Sequence, residues 1–189
     1  MDTDVPVVAL LQAVNLGRYG TVPMPRLREV TAALGHRDVS TWLATGNLML
    51  RPRPDFTGDR AALVAELTDH LRAELDLPLG LVVRTLPQLE AVIDANPYPE
   101  AAADRPSKLL VMFYDAPVTA GTPDLRAYGP ESTTFHGEEG YIDYVDGIGR
   151  SRLTGAVLDR TAGAKGSGRN WNTVLAVARK LRELGTVAG

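Results

Sequence analysis

Between residues 5 and 84 the chain alternates short apolar runs with amphipathic periods in an order that few folds accept. Residues 5–14 form a dense apolar run, broken by Pro6 and Gln12, and predict a buried strand. Residues 15–20 follow as a glycine-bearing loop that starts at Asn15. Pro23 and Pro25 open a helix with Leu27, Val30 and Leu34 at helical spacing, and Gly35 supplies its stop. Residues 39–43 and 48–51 read as strands around Thr45-Gly46-Asn47, a hairpin turn. Leu63, Leu67, Leu71 and Leu75 recur every fourth residue, which marks a helix with one buried stripe over 59–75. A strand over 79–84 closes the set. The order β-α-β-β-α-β is that of ferredoxin-like domains, in which two helices cover one face of an antiparallel sheet.

Thr85 and Gln88 have the spacing of a capping box and start a short helix that buries Leu86, Leu89 and Ile93. Residues 96–106, with three prolines and several alanines, read as a linker. Beyond it the order repeats: a strand over 108–114, a short helix over 123–128, and a hairpin of 133–136 with 141–145 around Gly137-Glu138-Glu139-Gly140. Ser151 then caps a helix carrying Leu153, Val157 and Leu158. The expected fold is α+β, with a ferredoxin-like half and connecting helix at 1–95 and a related β-α-β-β-α half at 107–189 that ends in a long helix. The duplication rests on element order, since no residue-level repeat is visible.

A length of 189 residues allows one large domain or two small ones. The absence of cysteine excludes disulfides, thiolate metal sites and cysteine nucleophiles. Asp2 and Asp4 stand where a signal peptide carries basic residues, and no apolar run approaches the roughly 20 residues of a membrane helix, so no membrane partner and a cytoplasmic location are expected. His36, His70 and His136 are far apart and lack ligand spacing, which predicts neither a metal site nor a cofactor. No serine has a nucleophile-elbow context, and no catalytic constellation is identifiable.

Charge is concentrated late in the chain. Between residues 150 and 169, Arg150, Arg152, Arg160, Lys165 and Arg169 face the single acid Asp159, in a protein of net charge -3. Arg150 and Arg152 flank the expected cap Ser151, where cations oppose the helix dipole unless an anion is present. The competing reading is a surface ion-pair network with Glu138, Glu139, Asp143 or Asp146 as counter-charges. In Gly166-Ser167-Gly168-Arg169-Asn170-Trp171-Asn172-Thr173, a glycine turn delivers an arginine and two carboxamides to the start of the last helix, a natural anion site. One asparagine suffices as N-cap. Trp171 shares a helical face with Val174, Leu175, Ala178, Leu181 and Leu184 and reads as a core anchor. Asn15 and Asn47, both in loops at strand ends, suit turns or one shared cleft.

At these residues a resemblance appears. Residues 10–17 (LLQAVNLG), 22–24 (VPM) and 41–47 (TWLATGN) resemble the N-terminal signature of the bacterial family called domain of unknown function 1697, whose usual form is close to LLRGINVGG, VPM and TYxxSGN. Arg150-Ser151-Arg152-Leu153 and the string RNWNT at 169–173 are similar to its C-terminal signatures. The resemblance spans nearly the whole chain and implies an α+β fold with a ferredoxin-like half and a related second half. It implies no activity. Gln12 and Ala13 stand where the family form has arginine and glycine, so one charge is missing there.

The functional expectation is a small anionic ligand, phosphate- or carboxylate-bearing, held by Arg169 and Asn170, with Asn172, Arg150, Arg152, Asn15 and Asn47 as candidate neighbours. An interaction or self-association module using an open sheet face is the alternative. Single-stranded nucleic-acid binding ranks third, because the aromatic pairs that stack bases are missing.

Overall fold

A computed structural model of the protein describes residues 1–12, 22–119 and 121–186. Asn15 and the expected loop around it lie outside the described residues. The chain divides into two compact units, Met1–Leu89 together with the chain from Val177 onward, and Glu90–Ala176.

In the first unit, β1 (Val7–Leu11), α1 (Met24–Ala33), β2 (Arg37–Trp42), β3 (Asn47–Arg51), α2 (Arg60–Leu75) and β4 (Leu81–Thr85) follow the expected order. The sheet order is β2-β3-β1-β4, with every neighbouring pair antiparallel. Alternation sorts the side chains. Val7, Ala9, Leu11, Leu48, Leu50, Leu81 and Val83 share a core with Leu27 and Val30 of α1 and Leu63, Leu67 and Leu71 of α2. Each fully buried leucine contributes about 1.5–3 kcal/mol. Asp59 caps α2, its Oδ1 accepting from Ala62 N at 2.9 Å. On the opposite face Val8, Leu10, Met49, Val82 and Arg84 are also buried.

The capping box forms as expected. Thr85 N donates to Gln88 Oε1 at 2.9 Å, and Gln88 N to Thr85 Oγ1 at 3.4 Å, at the start of α3 (Leu86–Asp94). Within the stretch read as a linker, Pro99–Asp104 is a helix, α4.

The second unit carries β5 (Leu109–Tyr114), β6 (Ser132–His136), β7 (Glu139–Asp143), α5 (Gly155–Ala162), β8 (Gly166–Asn170) and the first residues of α6 (Trp171–Thr186), whose part from Val177 onward belongs to the first unit. Its sheet order, β6-β7-β5-β8, repeats that of the first, again antiparallel throughout. One face packs Met112, Tyr114, Phe135, Ile142 and Tyr144 against Leu153, Val157 and Leu158.

Three local expectations are corrected here. Residues 126–128 form a turn and 123–125 no regular element, rather than a helix, and Asp124 folds onto Arg126 through backbone and guanidinium bonds. The helix expected from Ser151 starts at Gly155. Ser151 Oγ accepts from Leu153 N at 2.9 Å, which closes a turn ahead of the helix. The supposed glycine turn at 166–168 is strand β8. Its glycines answer to packing: a Cβ on Gly166 would lie 2.7 Å from Met112 Cε, and one on Gly168 would lie 3.0 Å from Met112 Sδ.

Candidate functional site

The residues singled out at the end of the chain occupy two different settings. Arg169 sits on β8 beside Val111 of β5, not in the first turn of a helix. It is 7 % exposed, and its Nη1 donates to Ser167 Oγ at 2.9 Å and to Gly168 O at 2.7 Å. Burial pushes its guanidinium down to about 10, which leaves it protonated at neutral pH. Asn170 uses its carboxamide oxygen as the cap of α6, accepting from Thr173 N and Thr173 Oγ1, both at 3.0 Å. Trp171 N donates to Pro106 O at 3.2 Å. Two of the first three N–H groups of α6 are therefore bonded within the protein, which removes much of its appeal for an anion. Trp171 is buried and Asn172 is exposed.

Arg150 and Arg152 lie elsewhere, on the rim of a hollow of about 430 Å³ that is also lined by Tyr128, Gly129, Glu131 and Asp146. Arg150 ends a single 3-10 turn (Ile148–Arg150) and Arg152 follows Ser151, so neither sits at the N-terminus of α5. The expected conflict with its dipole is absent. Arg152 is held by backbone carbonyls, Nη2 to Ala127 O at 2.8 Å and Nε to Tyr128 O at 3.3 Å. The guanidinium of Arg150 makes no hydrogen bond or ion pair among the described residues. Of the proposed counter-charges, Asp143 is taken by Arg105, in a two-pronged pair at 3.0 and 2.5 Å, and Asp146 shares the hollow and makes no ion pair among the described residues.

Asn47 opens β3 and is fully buried; its Nδ2 donates to Trp42 O at 2.9 Å and to Thr45 Oγ1 at 3.0 Å. It thereby closes the loop between β2 and β3, in a different unit from Arg150. The sequence signature at 41–47 is in this respect a hairpin device.

The family model described as "Protein of unknown function (DUF1697)" matches residues 5–141. The chain belongs to that family. Among solved structures it is similar to the conserved bacterial protein SP0830 from Streptococcus pneumoniae, with 16 % identity and a TM-score of 0.64 over 94 % of this chain and 98 % of the other. That likeness supports the fold. No curated protein matches. Gln12, which stands in this DUF1697 protein where the usual form has arginine, lays its carboxamide against Gly80: a Cβ there would come within 2.1 Å of Oε1.

Gly129, Pro130 and Glu131 also line the hollow, and nothing in the sequence marks them. Glu131 has a buried carboxylate oxygen, Oε2, with no hydrogen-bond partner among the described residues, and Gly129 lies directly against that carboxylate. The string Gly129-Pro130-Glu131 reads as ordinary loop, and only the fold carries it to Arg150. Neither a metal cluster nor a membrane-length apolar helix occurs among the described residues. On the first sheet Val8, Leu10, Met49 and Val82 are at most 3 % exposed.

Proposed function

We propose that this protein binds a small anionic ligand, phosphate- or carboxylate-bearing, in the hollow at Arg150-Ser151-Arg152. One observation carries the reading: two guanidinium groups two residues apart line a single concavity, and no carboxylate pairs with either among the described residues. A planar guanidinium offers parallel N–H groups that match a carboxylate or phosphate edge. The carbonyls of Ala127 and Tyr128 orient Arg152 beforehand, which lowers the entropy lost when it grips a ligand. The volume suits a metabolite rather than a polymer. The helix start at Asn170 is the weaker candidate, because its cap is already closed by Thr173.

Thermal unfolding across a panel of phosphates, carboxylates and nucleotides tests the reading. At a hundredfold excess over Kd, a ligand specific to the native state stabilises by about 2.7 kcal/mol, a shift of roughly 5–10 °C for a protein of this size. The shift should vanish in Arg150→Ala/Arg152→Ala. No shift in the wild type, or an equal shift in the double variant, contradicts the assignment.

A further inference from the structure

We infer, resting on that reading, that the ligand is a zwitterion: an anionic group held by Arg150 and Arg152, joined to a protonated amine that Glu131 receives. The arginines are not alone in the hollow. Glu131 and Asp146 line it too, so the site carries two positive and two negative side chains. Such a lining repels a dianion in part and complements a molecule that carries both signs.

Glu131 supplies the second, independent observation. Its Oε2 is buried and accepts no hydrogen bond among the described residues. A buried acceptor left without a donor is destabilising, the more so when it is charged. The carboxylate rests against Gly129. A Cβ at Gly129 would lie 2.2 Å from Oε2, 2.9 Å from Cδ and 3.0 Å from Oε1 of Glu131, so the carboxylate occupies the space that any other side chain at 129 would fill. Gly129 is not among the positive-φ glycines, and what a Cβ there would meet is the movable end of the Glu131 side chain, which would shift to make room. Pro130 stiffens the step between the two. An ammonium is the donor that best satisfies this acceptor, because the bond is charge-assisted on both sides.

The anionic end reads as phosphate or carboxylate, and matched pairs separate the two sources. Calorimetric titration of the whole protein would compare O-phosphoethanolamine with ethyl phosphate, and β-alanine with propionate. Within one pair, the amine-bearing member should bind roughly tenfold or more tightly. In Glu131→Gln the two members should converge. Gly129→Ala, which displaces the carboxylate while keeping its charge, should erase the preference as well. If the wild type binds both members of each pair equally, the zwitterion proposal is wrong and the anion site stands. If it retains the amine preference in both variants, Glu131 is not the receiver and the proposal falls. If no member of either pair binds, the anion reading falls with it.

Discussion

Arg84 and Arg169 hold the same place in their respective sheets. Each is the next-to-last residue of the fourth strand and lies beside a valine of the first strand, Val8 for Arg84 and Val111 for Arg169. The rows run Ser40, Met49, Val8, Arg84 in one sheet and Thr134, Tyr141, Val111, Arg169 in the other. After each arginine comes a capping residue, Thr85 or Asn170, and then a helix. The repeat invisible in the linear sequence is therefore present at residue level once strand register aligns the halves.

These arginines are buried, so their loss should register in stability. Arg169→Ala removes bonds to Ser167 Oγ and Gly168 O and leaves a cavity, an expected cost of about 2–4 kcal/mol. Arg169→Met fills the space without a charge to desolvate and should cost less. Urea unfolding of the two variants checks the order. A methionine variant as unstable as the alanine one would mean that the charge itself is required.

Asn170 and Asn172 differ sharply despite their closeness. Asn170→Ala deletes the cap of α6 and should destabilise by about 1 kcal/mol, whereas Asn172→Ala, at an exposed position, should stay within about 0.5 kcal/mol of wild type. Thermal melts of the pair decide it.

Stability should also fall in mild acid, through His36. Its side chain is fully buried; Nδ1 accepts from Arg53 N at 3.2 Å, which puts the ring proton on Nε2, facing Glu66 Oε2 at 3.5 Å. Burial lowers its pKa below 6.5, Glu66 opposes the shift, and Arg53 and His70 add to it. The folded state thus binds this proton more weakly than the unfolded chain does. The resulting stability is complete above pH 6.5 and is lost as pH falls below that value. His36→Gln should flatten the stability profile below pH 6.5. An unchanged slope would show that other groups set it.

Lys180 lies 5.2 Å from the centre of the Trp42 ring and pairs with Glu183 at 3.1 Å. Lys180→Met should cost about 0.5–1 kcal/mol and alter the fluorescence of Trp42. An emission spectrum identical to that of the wild type would contradict the contact.

The first half was readable because its signals are strong and local. A leucine every fourth residue, Asp59 before a helix and Gly35 after one each act within a few residues. Strand β8 was hidden because Gly166-Ser167-Gly168 has no apolar alternation of its own. Its glycines make room for Met112 and Tyr114 of β5, more than fifty residues away in sequence. The same distance effect hid Glu131. Arg150 and Arg152 were legible as charge but not as geometry, since the helix thought to start at Ser151 starts at Gly155. RNWNT joins a buried strand arginine to a helix cap, and both roles are structural in what the geometry displays.

The most direct test of the account is a titration of isotope-labelled protein with inorganic phosphate, followed by NMR at backbone amides and arginine Nε–H groups. The account predicts saturable shifts at residues 149–153 and at the side chains of Arg150 and Arg152, abolished in Arg150→Ala/Arg152→Ala. Shifts that never saturate, or that centre on residues 171–173, would contradict it.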